Sequence, residues 1–395
     1  MNKPLVIYNV TVYGETIVYP NGYLKIENGS ITELGSIHDY QRSSDDQVIE
    51  YSPDFIVVPG AIDIHIHGAA NADAMDAAEQ ALQTMAATLP KEGTTSFLPT
   101  TMTQSVEAIN DALIVCGDFV TNNQNDAQAE AIGIHLEGPF ISAKRAGAQP
   151  LHHIQQPSVE QFKRWQELAQ NHIRLVTLAP EESGGTDLVK HLKETNVVAS
   201  IGHSDATYEE VDAAIQAGAS HVTHLYNGMR GIHHREPGVL GASYLRKELY
   251  TELIVDGIHS RKEMVKLAYE QISSERLILI TDSLRAKWLK SGIYDLGGQS
   301  VQVNETMATL ADGTLAGSIL KMNEAMKNMV EFTGCSIPEI IQMASVNPAK
   351  QIGVFDRKGS LKVGKDGDCV VMNKHFDVQL TVCRGHIAYK QEEQS

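Results

Sequence analysis

The stretch Pro59-Gly60-Ala61-Ile62-Asp63-Ile64-His65-Ile66-His67-Gly68 decides how the rest of the chain is read. It ends an apolar run that reads as a buried β-strand, and in a strand successive side chains alternate between faces. His65 and His67 therefore share one face while Ile64 and Ile66 take the other. Two imidazoles on one face at one strand end can hold a metal ion, and a catalytic metal needs about three protein ligands plus an open position for water. Taken alone, the pair reads equally well as ordinary core or surface histidines.

Working outward, eight candidate strands follow one another between Phe55 and Ser283. They run from Phe55 to His67, Thr94 to Thr101, Ala131 to Glu137, Ile173 to Leu178, Val197 to His203, Ser220 to His224, Thr251 to Asp256 and Leu277 to Asp282. Between them, segments such as Asp76 to Glu92, Ser158 to Asn171, Tyr208 to Ala217 and Lys262 to Ile272 carry apolar residues at helical spacing. Strand and helix alternating in this way predict an α/β protein, a (β/α)8 TIM-like barrel. Short β-type runs return at both ends: Leu5 to Tyr13, Tyr23 to Glu27 and Ser30 to Leu34, then Gly367 to Met372 and Val378 to Cys383. Asn21-Gly22 and Asn28-Gly29 mark turns among the first three. Neither end suffices for a domain, so both termini are expected to build one small β-sandwich domain. The expected division is 1–56 and 356–395 for that domain and 57–355 for the (β/α)8 barrel.

Bulk composition narrows the partners. A length of 395 residues accommodates a barrel of roughly 250 residues and a companion domain. The 49 acidic and 32 basic residues give a net charge of −17, which disfavours nucleic acid or an anionic membrane as partner. Any anionic substrate must then be held by local groups. Cys116, Cys335, Cys369 and Cys383 form no CxxC pair, so neither a disulfide framework nor a thiolate zinc site is expected, and a reducing cytoplasm is the simplest location. The opening Met1 to Ile7 lacks the apolar core and cleavage site of a signal peptide, and no stretch is long and apolar enough to span a bilayer.

The active site of such a barrel lies at the C-terminal ends of its strands. Polar residues collect there: His65 and His67 after strand one, Glu137 after strand three, His203 after strand five, His224 after strand six and Asp282 after strand eight. Singly, Glu137 reads as a turn carboxylate, His203 as a helix-entry residue and Asp282 as an N-cap. Together, His65, His67, Glu137, His203 and His224 offer enough ligands for two divalent ions, with Glu137 able to bridge them. Asp282 is then free, or weakly bound, to act as acid and base. A metal pair suits hydrolysis because it lowers the pKa of bound water to near 7 and polarises the carbonyl under attack. A carboxylate in reach takes the water's proton and passes it to the leaving amine, and Asp282 is the candidate.

These residues also spell out a family. Pro59 to Gly68, His135-Leu136-Glu137-Gly138-Pro139, Ile201-Gly202-His203-Ser204 and Thr223-His224-Leu225-Tyr226-Asn227 are joined by His234-Arg235-Glu236-Pro237-Gly238 and Val255-Asp256-Gly257-Ile258-His259. Thr281-Asp282 and Gly313-Thr314-Leu315-Ala316-Gly317-Ser318 complete the set. Over nearly its whole length the chain resembles the N-acetylglucosamine-6-phosphate deacetylase family of the amidohydrolase superfamily. The resemblance implies hydrolysis of N-acetyl-D-glucosamine 6-phosphate to D-glucosamine 6-phosphate and acetate, in amino-sugar catabolism and cell-wall sugar recycling. It further implies that Asn227, the backbone at Gly228 and His259 hold the sugar phosphate, with Arg235 reaching across a homodimer interface into the neighbouring site. Ala148 and the Leu315, Ala316 and Gly317 segment match positions lining the sugar and acetyl pocket.

Two departures are informative. Members lacking the His-x-His pair look mononuclear, so His65 and His67 argue for two ions per subunit, zinc or iron. Where many members carry a histidine about twelve residues after the metal-binding glutamate, this chain has Gln149, which can donate a hydrogen bond to the substrate carbonyl but cannot titrate. Without the resemblance, Arg235 reads as a surface cation, His259 as a helix cap and Asn227-Gly228 as a turn. His152, His153 and His233 sit in polar loops, and Trp288 reads as part of a lid or as a packed surface aromatic. The alternatives are another amide hydrolase of the superfamily, dihydroorotase-like or aminoacylase-like, and a non-catalytic metal-dependent phosphosugar-binding protein.

Overall fold

The computed structural model describes residues 3–392. Positions 1–2 and 393–395, the outer ends of the expected small domain, lie outside the described residues, as does the Met1-Asn2 start of the opening segment.

Eight parallel strands form the barrel: Ala61–Ile66, Thr94–Thr101, Ile134–Glu137, Ile173–Leu178, Val198–Ile201, His221–Val222, Tyr250–Ile254 and Leu277–Ile280. Each pairs with the next in chain order. Strand eight meets strand one through single bonds at the mouth. Asp282 N donates to His65 O at 2.8 Å, and the buried Asp63 carboxylate accepts from Thr281 Oγ1 at 2.5 Å and Thr281 N at 3.3 Å. The expected (β/α)8 barrel is therefore present. Helices Tyr208–Ala217 and Lys262–Ile272 keep their expected bounds, whereas the run from Asp76 to Glu92 is α-helical only over Glu79–Thr88. Pro90 lacks the N–H a further turn would need, and the chain tightens there into a 3₁₀ turn, Leu89–Glu92.

The run from Phe55 to His67 is two strands, not one. Ile56–Pro59 pairs with Cys369–Met372 and with Leu5–Tyr13, whereas Ala61–Ile66 pairs with Thr94–Thr101. The break is Gly60, where a Cβ would stand 2.0 Å from Thr95 Oγ1, so only glycine lets the chain pass. Both halves are buried, which is why the apolar pattern runs on without a mark.

Strands from both termini form one eight-stranded sheet, ordered His386–Lys390, Val378–Cys383, Cys369–Met372, Ile56–Pro59, Leu5–Tyr13, Val18–Glu27 and Ser30–Ser36, with Gln47–Glu50 beside Leu5–Tyr13. This is the small β-sandwich domain, and Ile7, Leu24, Val371 and Leu380 belong to its own apolar core. Asn28-Gly29 joins two strands as expected. Asn21-Gly22 does not turn the chain: it lies inside Val18–Glu27, opposite a register shift at Val10. A Cβ at Gly22 would meet Val12 Cγ2 and Gly35 O at 3.0 Å, so this glycine serves close strand approach rather than reversal.

An antiparallel insertion of Gly292–Leu296, Gln299–Val303 and Ala308–Thr309 follows strand eight, and the sequence reading missed it. The Gly297-Gly298 pair at its tip, both at positive φ, is a hairpin signal that was available. Gln299 Nε2 donates to Ala148 O at 2.6 Å and Gln104 Nε2 to Gly297 O at 2.9 Å, which draws the insertion over the barrel mouth. No helix among the described residues is long and apolar enough to cross a membrane.

A charge network ties the barrel to the returning chain. Arg357 grips both oxygens of Glu130, at 2.8 and 2.9 Å, and Lys358 Nζ lies 2.7 Å from the same carboxylate. Burial pushes the Glu130 carboxyl up, but Arg357 and Lys358 outweigh it and hold it at about 2. A carboxyl depressed in the folded state stabilises above its unfolded pKa, and that stabilisation is lost as pH falls through the folded value. Glu130→Gln should therefore lower stability at pH 7 by about 3 kcal/mol and remove part of the acid sensitivity between pH ~4.5 and ~2. Denaturant unfolding at both ends of that window checks it; equal midpoints at pH 7 would refute it.

Candidate active site

Three of the residues singled out at strand ends sit in left-handed backbone: His203 at φ 47°, His224 at φ 28° and Asp282 at φ 48°. Such a conformation costs a non-glycine residue about 1–3 kcal/mol and persists only where neighbours enforce it. Here Ser142 N donates to His203 O at 2.8 Å, Asn227 N to His224 O at 3.0 Å and Ser318 N to Asp282 O at 2.8 Å. Strand alternation alone does not aim these side chains; the loops that follow do.

All six candidates converge. Glu137 Oε1 lies 3.4 Å from His65 Nε2, 3.2 Å from His203 Nε2 and 3.1 Å from His224 Nε2, and its Oε2 lies 3.2 Å from His67 Nε2. Asp282 Oδ1 stands 3.5 Å from His65 Nε2 and 3.3 Å from His67 Nε2. Two compact groups result, His65 with His67 and Asp282, and Glu137 with His203 and His224.

The donor chemistry fits metal ions. Nδ1 of His67 faces Thr100 O at 3.1 Å, that of His203 faces Arg145 O at 2.9 Å and that of His224 faces Asn227 O at 3.1 Å. His65 Nδ1 faces the Glu252 carboxylate at 2.9 Å. A carbonyl or carboxylate partner requires the proton on Nδ1, so each neutral ring turns an Nε2 lone pair inward. The Nε2 atoms of His203 and His224 are 3.1 Å apart, and two lone pairs at that distance repel unless a metal ion or a proton sits between them. His65 Nε2, fully buried, has no hydrogen-bond partner at all.

Without a cation, protons serve instead. Burial pushes His67 down, yet Asp282 and Glu137 hold it up at about 10, and His65 likewise stands well above its ordinary value. Burial also opposes the charge of Asp282, but His65 and His67 keep its carboxyl below the usual range.

Beside this cluster is a cavity of about 240 Å³. Ala148, Gln149, Asn227 and Gly228 line it, as do His259, Leu315 and Gly317. Ala316 does not; it is fully buried and packs behind the wall with the insertion's core. Arg235 is exposed on the turn between His233 and Glu236, its guanidinium 2.9 Å from His234 Nε2, outside its own chain's cavity. His152 and His233 are exposed, while His153 is half-buried.

Gln149 does something the sequence reading did not foresee. Its amide oxygen accepts from Thr103 N and its Nε2 donates to Glu137 Oε2, both at 2.8 Å. At least one of its N–H bonds is therefore spent on orienting Glu137. Trp288 donates from Nε1 to Glu92 Oε2 at 3.0 Å, and Glu92 also receives the buried Lys287 at 2.7 Å. The loop after strand eight is thereby anchored in this structure.

Several contributors escaped sequence reasoning. Asp256 accepts from His259 Nδ1 at 2.6 Å and from the backbone N–H of Ile258 and His259 at 2.8 Å. Burial presses the His259 imidazole toward neutrality, and Asp256 reverses this, raising it above its ordinary value. Met102, Gly147, Leu296 and Thr314 complete the cavity wall. Beneath the cluster, His135 Nε2 meets Thr177 Oγ1 at 2.8 Å, and Glu252 meets His65, His221 and His224. An acid inside the apolar run Thr251 to Asp256 was the available signal for Glu252.

Imidazoles and carboxylates gathered at the C-terminal mouth of a (β/α)8 barrel are the working plan of a metal-dependent hydrolase. The chain belongs to the amidohydrolase family, whose sequence pattern matches residues 56–388. It is 49% identical over 394 residues to the N-acetylglucosamine-6-phosphate deacetylase of Bacillus subtilis (strain 168), covering 100% of this chain and 99% of that one. It is 37% identical to the N-acetylgalactosamine-6-phosphate deacetylase of Escherichia coli O157:H7, over 91% of this chain and 97% of the relative. The crystal structure of N-acetylglucosamine-6-phosphate deacetylase from Thermotoga maritima superposes with a TM-score of 0.87 at 33% identity, covering 98% of this chain and 100% of that one.

Proposed function

We propose that the protein hydrolyses N-acetyl-D-glucosamine 6-phosphate to D-glucosamine 6-phosphate and acetate. One observation carries the reading: a single cavity is lined by His67, Asp282, Glu137, His203 and His224 of the two ligand groups and also by His259, whose Nδ1 is held by Asp256. An acetamide and a phosphate on one small sugar thus find suitable partners together. The identity to the Bacillus subtilis deacetylase over the full chain supports the same substrate.

In this reading His65, His67 and Asp282 would hold one divalent ion and Glu137, His203 and His224 a second, zinc or iron, with Glu137 facing both groups. Such ions would supply an acidified water and a polarised acetyl carbonyl. Asp282 takes the proton of the attacking water and delivers it to the departing nitrogen, which leaves as an amine rather than as a poor anion. Gln149 holds Glu137 and, lining the cavity, has one further N–H to offer the acetyl carbonyl, while Ala148, Leu315 and Gly317 enclose the acetyl end and Ala316 backs them. His259, whose imidazole Asp256 raises above its ordinary value, binds the phosphate with Asn227 and the Gly228 backbone, so a protein of net charge −17 can still bind an anion. Arg235, turned away from its own cavity, would complete the site of a second copy in a homodimer. The barrel, expected over 57–355 but entered only after the strand Ile56–Pro59, carries this chemistry; that strand joins the terminal segments expected over 1–56 and 356–395 in the β-domain, and the setting is cytoplasmic amino-sugar catabolism and cell-wall sugar recycling.

Acetate release tests the proposal on three substrates: the 6-phosphate, unphosphorylated N-acetylglucosamine and N-acetylgalactosamine 6-phosphate, each with and without a chelator. The expected result is chelator-sensitive release fastest from N-acetylglucosamine 6-phosphate. Losing the phosphate's charge-assisted hydrogen bonds should cost the plain sugar about 10- to 100-fold in kcat/KM. Equal rates with and without phosphate would refute the substrate, and chelator-resistant release would refute the metal dependence.

A further inference from the structure

Glu252 lies on strand seven, inside the barrel and with no exposed surface. Its two oxygens make three contacts. Oε2 accepts from His65 Nδ1 at 2.9 Å and from the His224 backbone N–H at 3.1 Å, and Oε1 faces His221 Nε2 at 3.1 Å. His65 belongs to one ligand group and His224 to the other, so one carboxylate is bonded to both. A buried charge is costly unless neighbours satisfy it, and an ionised carboxylate, which only accepts, is suited to three N–H donors.

We propose that Glu252 is a positioning residue that holds the two ligand groups in register. It fixes the His65 ring with Nε2 turned to the cluster, and it pins the left-handed His224 backbone from which the second group's imidazole projects. The inference rests on the two-ion reading above and goes beyond it, because Glu252 is neither a ligand nor a cavity-lining residue.

The side-chain chemistry distinguishes two variants. In Glu252→Gln the amide oxygen can still accept from His65 Nδ1 and His224 N. Its NH2 then faces His221, whose Nδ1 has no partner and is free to take the proton of the other tautomer. That change keeps the geometry and removes the charge. Glu252→Leu removes every acceptor and leaves all three donors without it.

The test is titration of metal-free parent and variants with Co²⁺ alone, reading stoichiometry, affinity and the d–d absorption, with circular dichroism as the control for folding. The parent should take up two ions per chain. Glu252→Gln should keep that number and the parent's spectral shape while binding about tenfold more weakly, and Glu252→Leu should bind about 100-fold more weakly with an altered spectrum. Parent-like affinity and spectrum in a folded Glu252→Leu overturn the proposal. If that variant does not fold, Glu252→Gln decides, and affinity equal to the parent's overturns it. A parent that binds a single ion overturns the two-ion reading and this coupling with it, whereas unchanged variants beside a two-ion parent overturn the coupling alone.

Discussion

Asp282→Asn is expected to lower turnover by about 10²-fold or more while substrate still binds, because the change removes a proton acceptor and little else. Asn is nearly isosteric and keeps an oxygen toward His65 and His67, which face Asp282 Oδ1 at 3.5 and 3.3 Å. The left-handed backbone at this position is held by bonds from its own N–H to His65 O and from Ser318 N to its carbonyl, neither of which involves the side chain. An amide cannot take the proton of an attacking water or return it to the leaving nitrogen. Asp282 also belongs to a ligand group, so the measurement needs saturating divalent ion and a direct determination of bound metal. Loss of kcat with KM and metal content near the parent's supports the proton role. Turnover within a fewfold of the parent at full metal content removes Asp282 from it.

Glu137→Ala should be the most damaging ligand change. Among the described residues its carboxylate is the one group within 3.4 Å of all four inward-facing imidazoles, and Gln149 and Thr103 are arranged behind it to hold it there. Without it, His203 and His224 remain as a two-nitrogen pair, and the Gln149 amide loses its acceptor in a buried place. The group would retain fewer than the three protein ligands of an ordinary catalytic site. Bound metal should fall from two ions to one or none per chain. Loss of several kcal/mol of transition-state stabilisation corresponds to a decline in turnover of about 10³-fold or more. Metal analysis and acetate release on the same preparation check both parts; a variant that keeps two ions would show that Glu137 is not the shared ligand.

Much of the barrel was legible in the chain because its strands are buried on both sides. Continuous runs such as Leu277-Ile278-Leu279-Ile280 cannot be exposed, and the helical spacing between them admits few other architectures. The same property concealed the break at Gly60, since an apolar pattern does not change when a chain passes from one buried sheet to another. The Asn21-Gly22 pair misled for the opposite reason. A glycine needed for close approach inside a sheet has the same sequence appearance as one needed for a turn.

The candidate site divided in the same way. His65, His67, Glu137, His203, His224 and Asp282 could be found because each ends a strand, and barrel strands end at one rim by construction. Strand order and chemical type therefore determined which side chains could meet. Contacts across the barrel were decided only by folding: Glu252, 187 positions from His65 in sequence, bonds its Nδ1, and Gln149 turns back onto Glu137 rather than pointing solely at a substrate. Left-handed backbone at three of the rim residues belongs to this second category, because loops from elsewhere impose it against local preference. Periodicity and residue type act locally and can be read from a string of letters. Orientation of a ligand depends on the atom behind it, and that atom is supplied by a distant part of the chain.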